Sequence, residues 1–113
     1  VVFDDCEALN LEVRKKVLHF QNDCLKVGRS RLISCIVINH RSLQNNATLD
    51  IINESSHLVF FPSSNKTSVR NFLMKKEGYS YAESEKMMKI PSRFILLFKD
   101  HSVVMGQHDL MLI

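Results

Sequence analysis

Short apolar runs alternate with amphipathic patterns along this chain of 113 residues. Apolar runs this short, rich in β-branched and aromatic residues, indicate buried strands. Strands that alternate with helices favour an α/β sheet with parallel strands. The chain is therefore predicted to be an α/β protein with a mainly parallel sheet, flanking helices and a C-terminal β-hairpin. The runs are VVF at 1–3, LISCIVI at 32–38, HLVFF at 57–61, FILLF at 94–98, 102–105 beyond a turn at 99–101, and 110–113.

The segments between these runs have helical periodicity and capping residues. Asn10 is a candidate N-cap for a helix that reaches about Lys26, and Gly28 supplies the break after it. Ser80 and Glu83 have the spacing of a capping box, which predicts a helix that ends before Pro91. The face of the first of these helices that is predicted to contact the core carries Val13, Val17, Phe20 and Cys24. Two further helices are predicted at 48–54 and 63–76.

Composition and charge limit the class of protein. No apolar run approaches the ~20 residues that span a membrane, and no signal-peptide pattern opens the chain. A net charge of +3 is compatible with a polyanionic partner and equally with an ordinary solvated surface. The three cysteines are widely spaced among apolar residues, which predicts reduced, buried thiols. Their spacing, and that of the histidines, does not match a structural metal site.

Two adjacent carboxylates, Asp4 and Asp5, follow the first apolar run directly. Like charges this close repel each other unless a cation stabilises both. An apolar strand that ends in two acids has the pattern of a Walker B element. There the first acid holds a nucleotide-bound Mg²⁺, and the second orients or deprotonates the attacking water. The alternative is an acid pair that only caps the following loop.

The segment GRSRLISCIVINHRS, 28–42, places polar residues at both ends of a predicted strand. Arg29 and Arg31 precede the strand, and His40 follows it. A group at the end of a strand beside Walker B could sense a γ-phosphate. An arginine before that strand could reach the nucleotide of a neighbouring subunit and stabilise negative charge. The alternatives are a hydrogen-bonded strand-end histidine and solvated surface arginines.

The ordered series VVFDD, GRSRLISCIVINHRS, DIINESSHLVFFP, FLMKKEGYS and SRFILLFKD resembles the DNA-packaging ATPases of large DNA viruses. These ATPases, of poxvirus and giant-virus type, are a branch of the FtsK–HerA superfamily. The resemblance covers nearly the whole chain. It implies a partial P-loop NTPase fold of RecA/FtsK type, with residues 1–113 forming the C-terminal portion of one ATPase domain. It also implies ATP-driven translocation of double-stranded DNA into viral capsids.

The resemblance also implies a role for each matching residue. Asp4 matches the Mg²⁺-side Walker B acid, and Asp5 matches the catalytic acid that handles water. Arg29 matches a trans-acting arginine finger, with Arg31 as the fallback, and His40 matches the strand-end sensor. The implied cofactors are ATP and Mg²⁺. Arg93 matches the arginine of the family's Ser-Arg-aromatic motif, and the resemblance assigns it no firm role.

The implied partners are double-stranded DNA, further copies of the chain in a ring, and a capsid or portal component. The implied location is the host cytoplasm (a viral factory) or the virion. No membrane partner is implied. Candidate DNA contacts are Lys75-Lys76, Lys66-Arg70 and Arg14-Lys15-Lys16, each of which is otherwise an ordinary solvated helix face.

The sequence has no glycine-rich Walker A loop, Gly-x-x-x-x-Gly-Lys-Ser/Thr, to hold the β- and γ-phosphates. Because that loop precedes Walker B in P-loop folds, we expect this chain to be a fragment that is inactive alone. Three alternatives stay open at this point: a fragment of a cellular FtsK/HerA translocase, a non-enzymatic α/β binding module, and a basic nucleic-acid-binding domain.

Overall fold

The computed structural model describes residues 1–38, 51–63 and 66–113, and these form two compact units, Val1–Ser55 and Ser56–Ile113. Six strands and three helices with complete bounds lie in these residues, together with helical residues 51–54 and two short 3-10 helices. The strands are β1 Val2–Asp4, β2 Ile36–Ile38, β3 His57–Phe60, β4 Ile95–Phe98, β5 Val103–Met105 and β6 Leu110–Leu112; the helices are α1 Leu11–Val27, α2 Lys66–Lys75 and α3 Tyr81–Met88; the 3-10 helices are Cys6–Ala8 and Arg29–Arg31.

The first unit is built on a parallel pair of strands, β1 and β2, joined through α1. Asn10 caps α1 as predicted, because its side-chain oxygen accepts a hydrogen bond of 3.0 Å from the amide of Val13. The ring of Phe3, buried on β1, contacts that of Phe20 on α1 edge-on, with 5.7 Å between centroids. A helix that crosses between two parallel strands is the minimal βαβ arrangement.

Two predictions for this unit need correction. On α1 the buried positions are Gln21 and Cys24, so the predicted core position is confirmed for Cys24, whereas Val13 and Phe20 are 43% and 55% exposed. The run LISCIVI is predicted to be a buried strand throughout, but only Ile36–Ile38 is extended in a ladder. Its first residues instead close the turn after Arg29–Arg31, and the strand has β1 as its neighbour on one side.

The second unit contains a four-stranded antiparallel sheet in the order β3-β4-β5-β6. The predicted hairpin is confirmed, since β4 pairs with β5 across the turn at 99–102, and β6 extends it into a meander. The prediction that β3 lies in a parallel sheet is wrong for its described pairing, because β3 runs antiparallel to β4. The coarser α/β class holds, with one parallel and three antiparallel strand pairs in the described residues.

One face of this sheet supplies the core of the second unit. Leu97 and Val104 pair across β4 and β5 and are fully buried, while Phe60 on β3 stacks at a tilt against Phe72 of α2 with 5.1 Å between centroids. The opposite face is also apolar. Val59, Leu110 and Leu112, which point to that face by register, are 54%, 65% and 77% exposed. Strands that are apolar on both faces are typical of a central layer.

Helices α2 and α3 pack against each other and form a helical hairpin, which we define as residues 66–93. Val69, Phe72 and Leu73 on α2 and Met87 on α3 are buried. The predicted capping box at the start of α3 is confirmed. The backbone amide of Ser80 donates to the Glu83 carboxylate at 2.7 Å, and the amide of Glu83 donates to the Ser80 hydroxyl at 3.2 Å.

The capping box predicts a dependence of stability on pH. The hydrogen bonds from Ser80 to the Glu83 carboxylate lower the pKa of Glu83 below its ordinary value. The folded state therefore binds this proton more weakly than the unfolded state, so the stabilisation is complete above the ordinary pKa of about 4.3 and is lost as the pH falls through the lower folded-state pKa.

We expect Glu83→Gln, which can keep the reciprocal capping geometry, to flatten the acid limb of a plot of melting temperature against pH. Ser80→Ala should flatten it as well, because it removes the hydroxyl partner and loosens the cap. Circular dichroism melts between pH 2 and 7 would measure this. An unchanged acid limb in both variants would contradict the assignment.

Candidate functional site

The parallel register of β1 and β2 places the predicted acid pair beside the end of the second strand. Asp4 lies opposite Ile38, and the amide of Asp5 donates a hydrogen bond of 3.2 Å to the carbonyl oxygen of Ile38. Both carboxylates therefore lie at the carboxyl edge of the parallel pair. This edge is where ligands bind in open α/β sheets.

The two acids have different backbone conformations. Asp4 is the last residue of β1 and is exposed, on the opposite side of the strand from buried Phe3. Asp5 has φ 50° and ψ 40°, a left-handed conformation that costs least for Gly, Asn and Asp. The chain therefore turns sharply at Asp5, directly after the strand that ends at Asp4.

Asp5 occupies the N-cap position of the 3-10 helix Cys6–Ala8, but its side chain makes no capping hydrogen bond. Its backbone carbonyl, by contrast, accepts a hydrogen bond of 3.1 Å from the amide of Ala8. A carboxylate placed there to cap the loop would accept a hydrogen bond from the first turn. The geometry therefore counts against the capping alternative for Asp5.

Two exposed carboxylates on adjacent residues suit a hard divalent cation. Mg²⁺ is bound in proteins by one or two carboxylates, with water and substrate phosphates completing its octahedral shell. Asp4 and Asp5 supply donors of that type. In the described residues, the surroundings of Asp4 and Asp5 included, no group of three or more His, Cys, Asp and Glu side chains could hold a metal ion.

Arg29 and Arg31 lie in the 3-10 helix that precedes β2, and both are exposed. Residues 32–35 connect this helix to β2 at the edge where Val1 accepts a hydrogen bond of 2.8 Å from the amide of Ile36. That is the amino edge of the parallel pair, whereas Asp4 and Asp5 lie at its carboxyl edge. The structure thus brings the acids together and does not bring either arginine to them within the first unit.

The other predicted positions have separate outcomes. His40 lies outside the described residues. Arg93 is exposed, and its neighbour Ser92 accepts hydrogen bonds through its hydroxyl from the amides of Phe94 at 3.3 Å and Gln107 at 2.9 Å. The Ser-Arg-aromatic step thus includes a structural serine that ties the start of β4 to the β5–β6 turn.

The structure has a strained turn beside the arginines that the sequence analysis did not predict. Leu32 adopts a left-handed conformation, with φ 56°, and is 95% exposed. A bulky residue in this region costs roughly 1–2 kcal/mol, and such strain is found preferentially at functional sites. The signal available in the sequence is the break of helical pattern at Gly28, followed by a large apolar residue directly after an Arg-Ser-Arg turn.

The cysteines are free thiols in the described structure: Cys24 is buried, and Cys6 and Cys35 are half-buried. Burial raises the pKa of the Cys35 thiol, and the nearby Cys24 raises it further. A raised pKa keeps the thiol protonated and weakly nucleophilic near neutral pH. The prediction of buried thiols is therefore confirmed for Cys24 and not for Cys6 or Cys35.

Comparison with known proteins gives a viral relative. The chain is 31% identical over 103 residues to the "Uncharacterized protein V3" of the Sputnik virophage, a match that covers 88% of this chain and 42% of that protein. The chain thus spans less than half the length of this relative. No family model matches the chain, and no solved structure matches it. In the part of the chain that the structure describes, no helix is both long and apolar enough to cross a membrane.

Gly28 provides a test of the turn that carries the arginines. It is buried, its carbonyl accepts hydrogen bonds from Arg31 at 3.0 Å and Ile33 at 2.8 Å, and an added Cβ would collide with the carbonyl of Cys24. Its φ of −60° is open to any residue, so the obstacle is steric. We expect Gly28→Ala to destabilise the chain by about 1–3 kcal/mol in denaturant titration, as overpacking does.

Ser34→Ala, an exposed change in the same connection, is the matched control and should shift stability by less than ~0.5 kcal/mol. Equal effects of Gly28→Ala and Ser34→Ala would show that the turn tolerates a side chain at Gly28.

Proposed function

We propose that this chain is the C-terminal segment of an ATP-driven double-stranded DNA translocase that packages a viral genome into capsids. The observation that carries the proposal is the position of Asp4 and Asp5 at the carboxyl edge of a parallel strand pair, with no capping bond to Asp5. Similarity to a virophage protein is compatible with a viral role. The phosphate-holding loop would come from residues outside this chain.

In the proposed reaction, Asp4 would hold the Mg²⁺ that accompanies the nucleotide, and that cation would supply positive charge against the phosphates. Asp5 accepts a hydrogen bond from the attacking water and takes up its proton. The left-handed backbone of Asp5, directly after the extended Asp4, supports this division of roles, because the two acids have different backbone conformations although they are adjacent in sequence. Each carboxylate can then serve a different group, one the cation and the other the water.

Arg29 is proposed to act on the nucleotide of a neighbouring subunit. Its location before β2, at the opposite edge from Asp4 and Asp5, is compatible with a finger that serves another subunit. The exposed, left-handed Leu32 supports this role, because it keeps the adjacent turn on the surface at an energetic cost. A ring of identical subunits would supply each site with one arginine from its neighbour.

The acid assignment is tested in the full-length protein. We expect Asp5→Asn to lower ATP hydrolysis by about 10² or more, since it removes the base that positions water, while the affinity for Mg-ATP changes little. Asp109→Asn, the same change at an exposed acid near the β5–β6 turn, is the control and should leave hydrolysis unchanged. Steady-state turnover and nucleotide titration would measure both. Full turnover by Asp5→Asn would exclude Asp5 from the proposed role.

The trans assignment is tested by mixing subunits. Arg29→Ala alone should lose most hydrolysis, because the finger is worth about 10³-fold or more. Mixing it with Asp5→Asn subunits should restore activity, since an intact acid pair then meets an intact arginine across the interface. Arg31→Ala in the same assay distinguishes the two arginines. If mixing restores nothing although each variant assembles, the arginine does not act in trans.

A further inference from the structure

The helical hairpin has an uneven distribution of charge. Its residues 66–93 contain seven Lys and Arg against three Glu, and no Asp. The rest of the second unit, by contrast, has Lys99 with Asp100 and Asp109. The mild positive charge of the whole chain is therefore concentrated on one structural element of this unit.

Each of the three glutamates is engaged in an internal contact. Glu77 lies 3.7 Å from the ammonium of Lys99, with both side chains at most 20% exposed. Glu85 forms an ion pair with Arg70, whose guanidinium also lies 5.3 Å from the centre of the Tyr81 ring. Glu83 is held by the capping box. Glu77 and Glu85 are therefore committed to ion pairs within the fold, while the carboxylate of Glu83 also interacts electrostatically with Lys86.

Six cations of the hairpin remain, and all are exposed: Lys66, Lys75, Lys76, Lys86, Lys89 and Arg93. Lys86 on α3 and Lys89, the C-cap residue of α3, are about one turn apart, away from buried Ser84 and Met87. On α2, exposed Lys75 continues the side that carries exposed Asn71 and Thr67, away from its buried residues. In the described structure, no carboxylate forms an ion pair with Lys75, Lys86 or Lys89.

We propose that the exposed side of the helical hairpin binds the phosphate backbone of double-stranded DNA, through Lys75, Lys86 and Lys89, with Thr67 and Asn71 as neutral donors. This inference rests on the proposed function for its choice of polyanion. Lysines supply the charge that phosphates require, and hydroxyl and amide side chains add sequence-independent hydrogen bonds. Arg70, a candidate from the sequence, is excluded because Glu85 and Tyr81 engage it.

The surface of α1 provides a matched comparison. It also has exposed lysines, Lys15, Lys16 and Lys26, but Glu12 and Asp23 are exposed on the same helix. Asp23 lies 3.5 Å from His19 with its side chain 61% exposed, so it remains close to any approaching phosphate. The three lysines Lys75, Lys86 and Lys89 and the three lysines of α1 therefore have different acidic surroundings.

The test compares two triple variants of the full-length protein that change charge equally. One replaces Lys75, Lys86 and Lys89 with Gln, and the other replaces Lys15, Lys16 and Lys26 with Gln. Binding of a fluorescent 30-base-pair duplex of mixed sequence is measured by anisotropy without nucleotide, from about 50 to 300 mM salt. Circular dichroism checks that both variants are folded.

Each lost phosphate contact removes about 0.9 from the slope of log K against log salt, which is up to about eightfold in affinity at 0.1 M. We expect the hairpin variant to lose at least tenfold in affinity with a clearly shallower slope, and the α1 variant to lose less than threefold. Equal losses would reduce the effect to net charge and overturn the proposal. Retained binding by the hairpin variant would overturn it as well. So would tighter binding of single-stranded DNA than of the duplex, if the hairpin variant showed the same preference as the unchanged protein.

The outcome is separable from that of the proposed ATPase. Asp5→Asn should bind the duplex normally while losing hydrolysis. Normal duplex binding by the hairpin variant, together with loss of hydrolysis by Asp5→Asn, would remove the DNA-binding surface and leave the ATPase assignment standing. Hairpin-dependent DNA binding in a protein that hydrolyses no ATP would do the reverse.

Discussion

The parallel pairing of β1 with β2 is the constraint on which the candidate site depends. Backbone hydrogen bonds at both ends of the pair, from Ile36 to Val1 and from Asp5 to Ile38, fix the register. A slip by one residue would exchange the two faces of β1 and put Asp4 in the buried place of Phe3. Burying a carboxylate without a partner costs several kcal/mol, so the apolar contact of Phe3 with Phe20 also holds the acids at the surface.

Local chemistry made much of the fold predictable. The Asn10 cap, the Ser80–Glu83 capping box and the β4–β5 hairpin all depend on residues close in sequence, and all three are confirmed. Predictions failed where distant neighbours decide. An apolar run cannot reveal that its first residues close a turn, as at Leu32, or that a strand such as β3 has an antiparallel partner almost forty residues away.

The candidate site was predictable in position but not in conformation. Parallel strands end at a common edge, so the sequence placed Asp4 and Asp5 at that edge and Arg29 before the opposite one. It did not predict the left-handed backbone at Asp5, because Asp can cap a helix with its side chain or turn the chain without doing so. That choice matters chemically, since a capping carboxylate would already have its hydrogen bonds satisfied and would attract a cation less strongly.

The charge of the surface, like the conformation of the site, could not be predicted from composition alone. A net charge of +3 says little about a partner, because it does not reveal which carboxylates are used inside the fold. The ion pairs Arg70–Glu85 and Lys99–Glu77 stabilise the packing around the helical hairpin, and they also leave Glu85 and Glu77 less able to screen the surface lysines, whereas Glu83 still interacts with Lys86. The contacts that hold α2, α3 and β4 together thereby produce the electropositive surface. A substitution that broke Arg70–Glu85 would release a carboxylate beside that surface, so stability and polyanion affinity should change together at this position.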